Sequence, residues 1–289
     1  MDAQTLANKT ASIETPSGKG AADENFPVGS WLIASHLRPH VARYYAFARA
    51  IDDVADDSRL SPEEKIARLD LFARAVQDPE VAALPGLEKA ANVRAMLLET
   101  GITDKHCLDL ISAFKQDAIQ NRYRDWDQLL DYCDRSAAPV GRFLLDLHGE
   151  DPSGYRASDA LCNALQVINH LQDCGDDRAN IDRVYLPGDW LAEEGETIEA
   201  LDRTACSPGL RRVIDRCLEG TRALMREADK LPGQLRSRRL AMESAVIIDI
   251  AWRLIDELQN RDPLAERIEL TKLQFLRSGV RGIVKAWLS

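Results

Sequence analysis

The sequence predicts an all-α protein organised as a single domain, and three observations carry that prediction. Apolar residues recur at helical spacing from Phe26 onward. Strand-like alternation is hard to find. No linker is long enough to divide the 289 residues, a length that one large domain can hold. Residues 1–22 stand apart. They are rich in Ser, Thr, Gly, Ala and Lys and have no apolar period, so a disordered tail is expected there and a folded domain over 23–289.

The elements follow in order. Pro39 suits a first helical turn, where a missing N–H costs nothing, and the helix it opens runs through Tyr44-Tyr45-Ala46-Phe47-Ala48-Arg49-Ala50-Ile51-Asp52-Asp53-Val54-Ala55-Asp56-Asp57. Ser61-Pro62-Glu63-Glu64 is a capping box with proline at the first helical position. Further helices fit residues 87–100, 104–120, 125–148, 158–177, 208–230, 236–260 and 270–287, and Ser207-Pro208 marks another start. Asp125 and Asp127 beside Trp126 read as acids at the positive end of a helix. Arg183-Val184-Tyr185-Leu186-Pro187 reads as an extended link that ends in a turn.

Composition removes several function classes. A net charge of −10 argues against a nucleic-acid partner, which needs a basic stripe. No run approaches the roughly 20 apolar residues that span a bilayer. The six cysteines (107, 133, 162, 174, 206, 217) are scattered without a CxxC pair, and no charged-then-apolar signal precedes them. They are expected to be reduced thiols in the cytoplasm.

Two acidic clusters hold the chemistry. The second reads Gln166-Val167-Ile168-Asn169-His170-Leu171-Gln172-Asp173-Cys174-Gly175-Asp176-Asp177. Asp52 with Asp56, and Asp173 with Asp177, stand four residues apart, so on a helix each pair projects from one face. Like charges at that spacing weaken a helix by about 0.2–0.5 kcal/mol. A chain that does this twice inside apolar helices is expected to hold a cation there, and magnesium suits a carboxylate set that shares its shell with a substrate phosphate. Facing acid pairs on two helices would make a cage for magnesium and a diphosphate, take up the leaving group's charge, and require a dry aromatic pocket for the carbocation left behind. Phe26, Tyr45, Phe47, Tyr132 and Phe143 are the aromatic candidates. Arg49 precedes Asp52 by three and Asp53 by four, within reach of either carboxylate or of a phosphate. Asn169 precedes Asp173 by four and offers a neutral oxygen.

Plainer readings compete with each of these. A single Asp-Asp-x-x-Asp-Asp run is usually a solvated helix end, a lone arginine a structural ion pair, and an aromatic at helical spacing core. His36 and His40 flank Pro39 at a helix boundary and do not read as a zinc pair. The combination of two clusters, each with an amide or arginine partner, is what favours a site.

These residues resemble the squalene/phytoene synthases. Tyr45-x-x-x-Arg49-x-x-Asp52-Asp53-x-x-Asp56, then Tyr132-Cys133-x-x-Ser136-Ala137-x-x-Val140-Gly141, then Gln166-x-x-Asn169-x-x-x-Asp173-x-x-x-Asp177 with Arg183-Val184-Tyr185-Leu186-Pro187, match that family over about residues 24–277. The resemblance implies a helical isoprenoid-synthase bundle around a central cavity. It implies magnesium and diphosphate on Asp52, Asp53, Asp56, Asn169, Asp173 and Asp177, supported by Tyr45, Arg49, Gln166 and Arg183, with Tyr132 and Phe26 beside the substrate. The phrases Glu24-Asn25-Phe26-Pro27-Val28, Ser136-Ala137-Ala138-Pro139-Val140-Gly141-Arg142 and Asn169-His170-Leu171-Gln172-Asp173-Cys174 look like the bacterial hopanoid-pathway branch, the hydroxysqualene synthases. That branch ionises presqualene diphosphate and lets water trap the rearranged cation, with no reducing cofactor. It also implies a partner enzyme supplying presqualene diphosphate. The alternatives are condensation of two farnesyl or geranylgeranyl diphosphates and, less expected with both clusters intact, a silent assembly factor.

Departures from the family bear on this. Ala22-Asp23-Glu24-Asn25 stands where many condensing relatives have a basic His-x-Lys stretch, Gln172 where they often have Arg, and no tyrosine follows Tyr185. Fewer basic contacts suit one diphosphate rather than two. The loop from Asp177 to Tyr185 looks one residue longer than usual, which leaves Arg178 and Arg183 as rivals for one role. Asn25 can donate and accept, so it is the candidate to hold the trapping water. His170 and Gln172 rank lower, since their offsets turn them from the metal face. Leu273, Leu276, Val280, Ile283, Val284 and Trp287, interleaved with Lys272, Arg277, Arg281 and Lys285, form an amphipathic stretch. A core-packing last helix is the first expectation for it, and loose contact with the inner face of a membrane the second.

Overall fold

The computed structural model describes Ile13, residues 32–271, Gln274 and Ser278. The described residues are overwhelmingly helical, as the periodicity predicts, and their contacts gather into two compact units. The first comprises Met1–Gln120 with Asp146–His148, the second Asn121–Leu145 with Gly149–Ser289.

In the first unit, α1 (Arg38–Asp56) carries Pro39 in its first turn and buries Val41, Tyr44, Phe47, Ile51 and Val54, a stripe at three- and four-residue spacing. α2 (Pro62–Gln77) opens on the capping box: Ser61 Oγ accepts from the Glu64 N–H, and Glu64 accepts from the Ser61 N–H at 2.9 Å. The single turn α3 (Pro79–Ala82) leads to α4 (Glu88–Thr100), which ends at Gly101 in the left-handed region. α5 (Lys105–Asp117) buries Leu110, Ile111, Ala113 and Asp117. α1 packs on α4 and α5, and α2 packs on both as well. Ile13 is buried in this unit, its carbonyl accepting from Arg68 Nη1 at 3.2 Å. The rest of the 1–22 stretch lies outside the described residues.

In the second unit the helix expected over 125–148 divides into α6 (Trp126–Ser136) and α7 (Ala138–Leu147). Pro139 is the physical reason. It has no N–H to continue the ladder, and Ala137 leaves helical geometry at φ −123°. α7 runs beside α8 (Tyr155–Gln172) closely enough that a Cβ on Gly141 would collide with the Ser158 hydroxyl and come within 2.7 Å of Cys162 Sγ. α8 starts three residues before the expected 158, because Asp151 caps the 3₁₀ turn Pro152–Gly154 that feeds straight into it. The helix expected over 158–177 also divides, at Asp173, and continues as α9 (Cys174–Ile181).

The predicted extended link is β2 (Val184–Pro187), paired in parallel with β1 (Arg122–Tyr123). α10 (Gly188–Glu193) and the 3₁₀ turn Ile198–Asp202 lead to α11 (Pro208–Ala228), capped by Ser207 as read from Ser207-Pro208. A short α12 (Leu231–Gln234) precedes α13 (Arg238–Asn260). Glu150 reinforces the start of α13, accepting from the N–H groups of Arg236 and Ser237 at 2.8 and 2.7 Å. α8 is the centre of this unit, packed against α6, α11 and α13. No helix among the described residues is long and apolar enough to cross a membrane. The amphipathic stretch within 270–287 lies outside the described residues apart from Leu270, Thr271, Gln274 and Ser278.

Candidate active site

The first acidic motif rides on an unbroken stretch of α1, so its acids keep their helical offsets. Arg49 is clamped between two of them. Its Nη1 lies 2.8 Å from Asp52 Oδ2, while Nη2 and Nε donate to Asp53 Oδ1 at 2.8 and 3.0 Å. Asp53 is buried, whereas Asp52 and Asp56 are half-buried, as is Tyr45 one turn before Arg49. Burial, and then the Asp56 carboxylate, push the Asp52 carboxyl well above the usual carboxylate range. Arg49 opposes that push, and Asp117 and Asp53 add to it. Asp57 plays no part in this crowd. Arg59 donates to it from Nε and Nη2 at 2.9 and 2.8 Å and holds its carboxyl down to about 2.

The second motif straddles the α8–α9 break, yet its backbone ladder is intact. The Asp173 N–H bonds to the Asn169 carbonyl at 3.0 Å and the Asp177 N–H to the Asp173 carbonyl at 2.7 Å. The four-residue offset read from the sequence therefore survives. Gln166, Asn169 and Asp177 are half-buried and Asp173 is exposed. Arg178 is committed to Asp182 and Asp202, with Nε 3.0 Å from the latter. Asp182 takes the left-handed conformation, φ +51°, that ends α9, and it also accepts from Arg122. Arg183 is buried in the same unit as the motif. Its N–H bonds to the Asp177 carbonyl at 3.1 Å, and Nη1 donates to Tyr185 Oη at 3.3 Å. Of the two rival arginines, Arg178 is held by acids outside the motif, while Arg183 meets the motif through its backbone N–H.

Behind these groups stands a buried aromatic cluster. Tyr185 stacks on His170 with ring centroids 3.3 Å apart and on Tyr123 at 5.4 Å, and Tyr132 leans against all three. His170 lies 3.2 Å from Gln166, Nε2 to Nε2. Burial, and then the Arg183 charge, push its imidazole down to about 3, so it is neutral. Gln172 points elsewhere, donating to the Ile268 carbonyl at 2.5 Å. Phe47 and Phe143 are wholly buried, and Phe47 meets Phe72 edge-on at 6.2 Å, which is core packing. Asn25 and Phe26 lie outside the described residues.

Sequence reasoning passed over Asp117, whose carboxylate acts on Asp52, and the contact of His170 with Gln166. Asp117 falls on the buried stripe of α5 with Leu110 and Ala113, and an acid on an apolar stripe is a signal the sequence does carry. His170 follows Gln166 by four, the spacing that was used for the aspartates.

Among the described residues no three of His, Cys, Asp and Glu stand close enough to enclose a metal unaided. Magnesium does not require that, since it commonly takes one or two carboxylates and completes its shell with water and substrate phosphate. The donors are hard carboxylate and amide oxygens, and burial together with the Asp56, Asp117 and Asp53 carboxylates raises the Asp52 carboxyl more than Arg49 lowers it, a setting that a cation would relieve. The residues present fit that ion.

The helical fold and an aspartate-rich motif in each unit place the molecule among the all-helical isoprenoid synthases. The squalene/phytoene synthase family model matches residues 20–274. A hydroxysqualene synthase of Rhodopseudomonas palustris is 40% identical over 272 residues, covering 92% of this chain and 90% of that one. The solved squalene synthase of Alicyclobacillus acidocaldarius is 30% identical, with a TM-score of 0.72, over 81% of this chain and 87% of that one. A dehydrosqualene synthase solved with a ligand shares the fold at a TM-score of 0.76 and 17% identity, over 92% of each chain. The chain belongs to the squalene/phytoene synthase family.

Proposed function

We propose that this enzyme is a hydroxysqualene synthase, acting with magnesium on presqualene diphosphate. The observation that carries the reading is the 40% identity to hydroxysqualene synthases over nine-tenths of the chain, with both aspartate motifs intact. Asp52 and Asp56 from the first motif, and Asn169, Asp173 and Asp177 from the second, would hold the metal, which when bound supplies charge stabilisation for the departing diphosphate. Asp53 acts through Arg49, fixing the guanidinium that steadies Asp52. Gln166 and Arg183 orient the diphosphate, while Tyr45, Tyr132 and Phe26 offer aromatic faces to the cation. The C–O bond to the diphosphate breaks with its electron pair leaving on oxygen. The carbon skeleton rearranges, and a water held by Asn25 adds to the cation and loses its proton to the released diphosphate. The setting we infer is the cytoplasmic side of a membrane, near the enzyme that makes presqualene diphosphate.

The test is a product assay with magnesium and no nicotinamide cofactor, offering farnesyl diphosphate and presqualene diphosphate separately. Hydroxysqualene from presqualene diphosphate alone is expected, and Asn25→Leu should shift the product toward dehydrated hydrocarbons. Turnover of farnesyl diphosphate into a condensed product would overturn the assignment in favour of head-to-head prenyl transfer.

A further inference from the structure

In the second motif a hydrogen bond joins the side chains of Gln166 and His170. A glutamine amide has two unlike ends, and either can face a ligand. Here Nε2 faces His170 at 3.2 Å. An amide nitrogen only donates, so the imidazole Nε2 accepts and its proton sits on Nδ1. The imidazole itself has no freedom to swing. Tyr185 lies flat on it at 3.3 Å and 13°, and Tyr132 closes in at 6.2 Å. Tyr185 is in turn held by Arg183 and by stacking on Tyr123. With its nitrogen committed to that acceptor, the carbonyl oxygen is the end of the half-buried amide left to meet a ligand.

We propose that His170 is a positioning residue for Gln166, setting the amide so that Oε1, a hard oxygen, faces the magnesium–diphosphate ligand. The inference rests on the proposed function and deepens it. His170 touches no substrate in this account. It selects which end of Gln166 does.

The experiment measures binding of inorganic pyrophosphate with magnesium by calorimetry, and repeats it across a magnesium series. His170→Phe keeps a ring for the stack and removes the acceptor. It should weaken pyrophosphate binding about tenfold, the worth of one charge-assisted hydrogen bond, and raise the magnesium concentration needed for half-saturation. His170→Gln restores an acceptor near the Nε2 position and should recover most of the loss. Gln166→Met removes the oxygen itself, so adding His170→Phe to it should cost nothing further. Wild-type affinity in His170→Phe, failure of His170→Gln to recover it, or additive losses in the double variant would each overturn the proposal. Failure of the wild-type protein to bind magnesium–pyrophosphate at all would instead overturn the functional reading, and this inference with it.

Discussion

At Asp52 two effects oppose each other, and their balance decides what a substitution does. The ion pair with Arg49 favours the charged carboxylate, while burial and the Asp56, Asp117 and Asp53 carboxylates disfavour it, and the second group wins. Asp52→Asn should therefore raise the melting temperature of the metal-free protein at pH 8 by about 2 °C, roughly 1 kcal/mol for a chain of this size. The same variant should lose diphosphate release and the stabilisation that magnesium with pyrophosphate gives the wild type. Thermal scans with and without those ligands check both halves, and a variant that melts lower without metal and still turns over would refute them. Much of this site was legible beforehand. Arg49, Asp52, Asp53 and Asp56 are neighbours by helical spacing alone. Asp117 reaches the same place through the packing of α5 on α1, which no local pattern encodes. The stack of His170 on Tyr185 likewise depends on β2 returning beside α8.

At the scale of elements, helix starts were the most readable features, because a cap is a local exchange of hydrogen bonds. Ser61 and Ser207 behave as their sequences predict. Breaks were less so. Pro139 carried the signal for dividing 125–148, but the break at Asp173 has no proline and keeps its ladder bonds, so spacing alone hid it. Helices of four to eight residues, such as α3, α10 and α12, are too short to show a period. Asp262 ties two of these elements together. It accepts from the Cys206 N–H at 2.7 Å, just before α11, and from the Leu264 N–H at 2.9 Å, just after α13. Burial works against the Asp262 carboxylate, but bonds from the Cys206 thiol and from the backbone of Cys206, Leu264 and Ala265 outweigh it and hold its pKa below the usual range. A carboxyl with a depressed folded pKa adds stability above its unfolded value and loses it as pH falls through the folded one. Asp262→Asn should cost about 1–2 kcal/mol at neutral pH, and the gap to wild type should close between about pH 5 and pH 2. Denaturant titrations over that range test it, and a gap that does not change with pH would refute it.

For the whole molecule, the net charge of −10 and the basic C-terminal stretch pull in opposite directions at a membrane. Substrate and product are oily under the proposed function, yet no described helix can cross a bilayer. Loose binding to anionic vesicles, released by a salt wash, is the expected outcome of a flotation assay. Recovery wholly in the soluble fraction at every salt concentration would refute it. A different consequence follows from the path of the chain. Asp146–His148 belongs to the first unit although it is threaded between two stretches of the second. Among the described residues Asp146 supplies the one hydrogen bond on the buried ring of His106, at 2.8 Å to Nε2, and Nδ1 has no partner there. A gene cut after residue 120 would thus encode a first half that lacks Asp146 and the bond it gives the His106 ring, at a cost of about 1–3 kcal/mol. A split placed at Gly195, exposed and with open space around it, leaves Asp146 on the same fragment as His106. Co-expressed fragments divided at 195 should reassemble into active enzyme, whereas residues 1–120 made alone should fail to give a cooperative thermal transition.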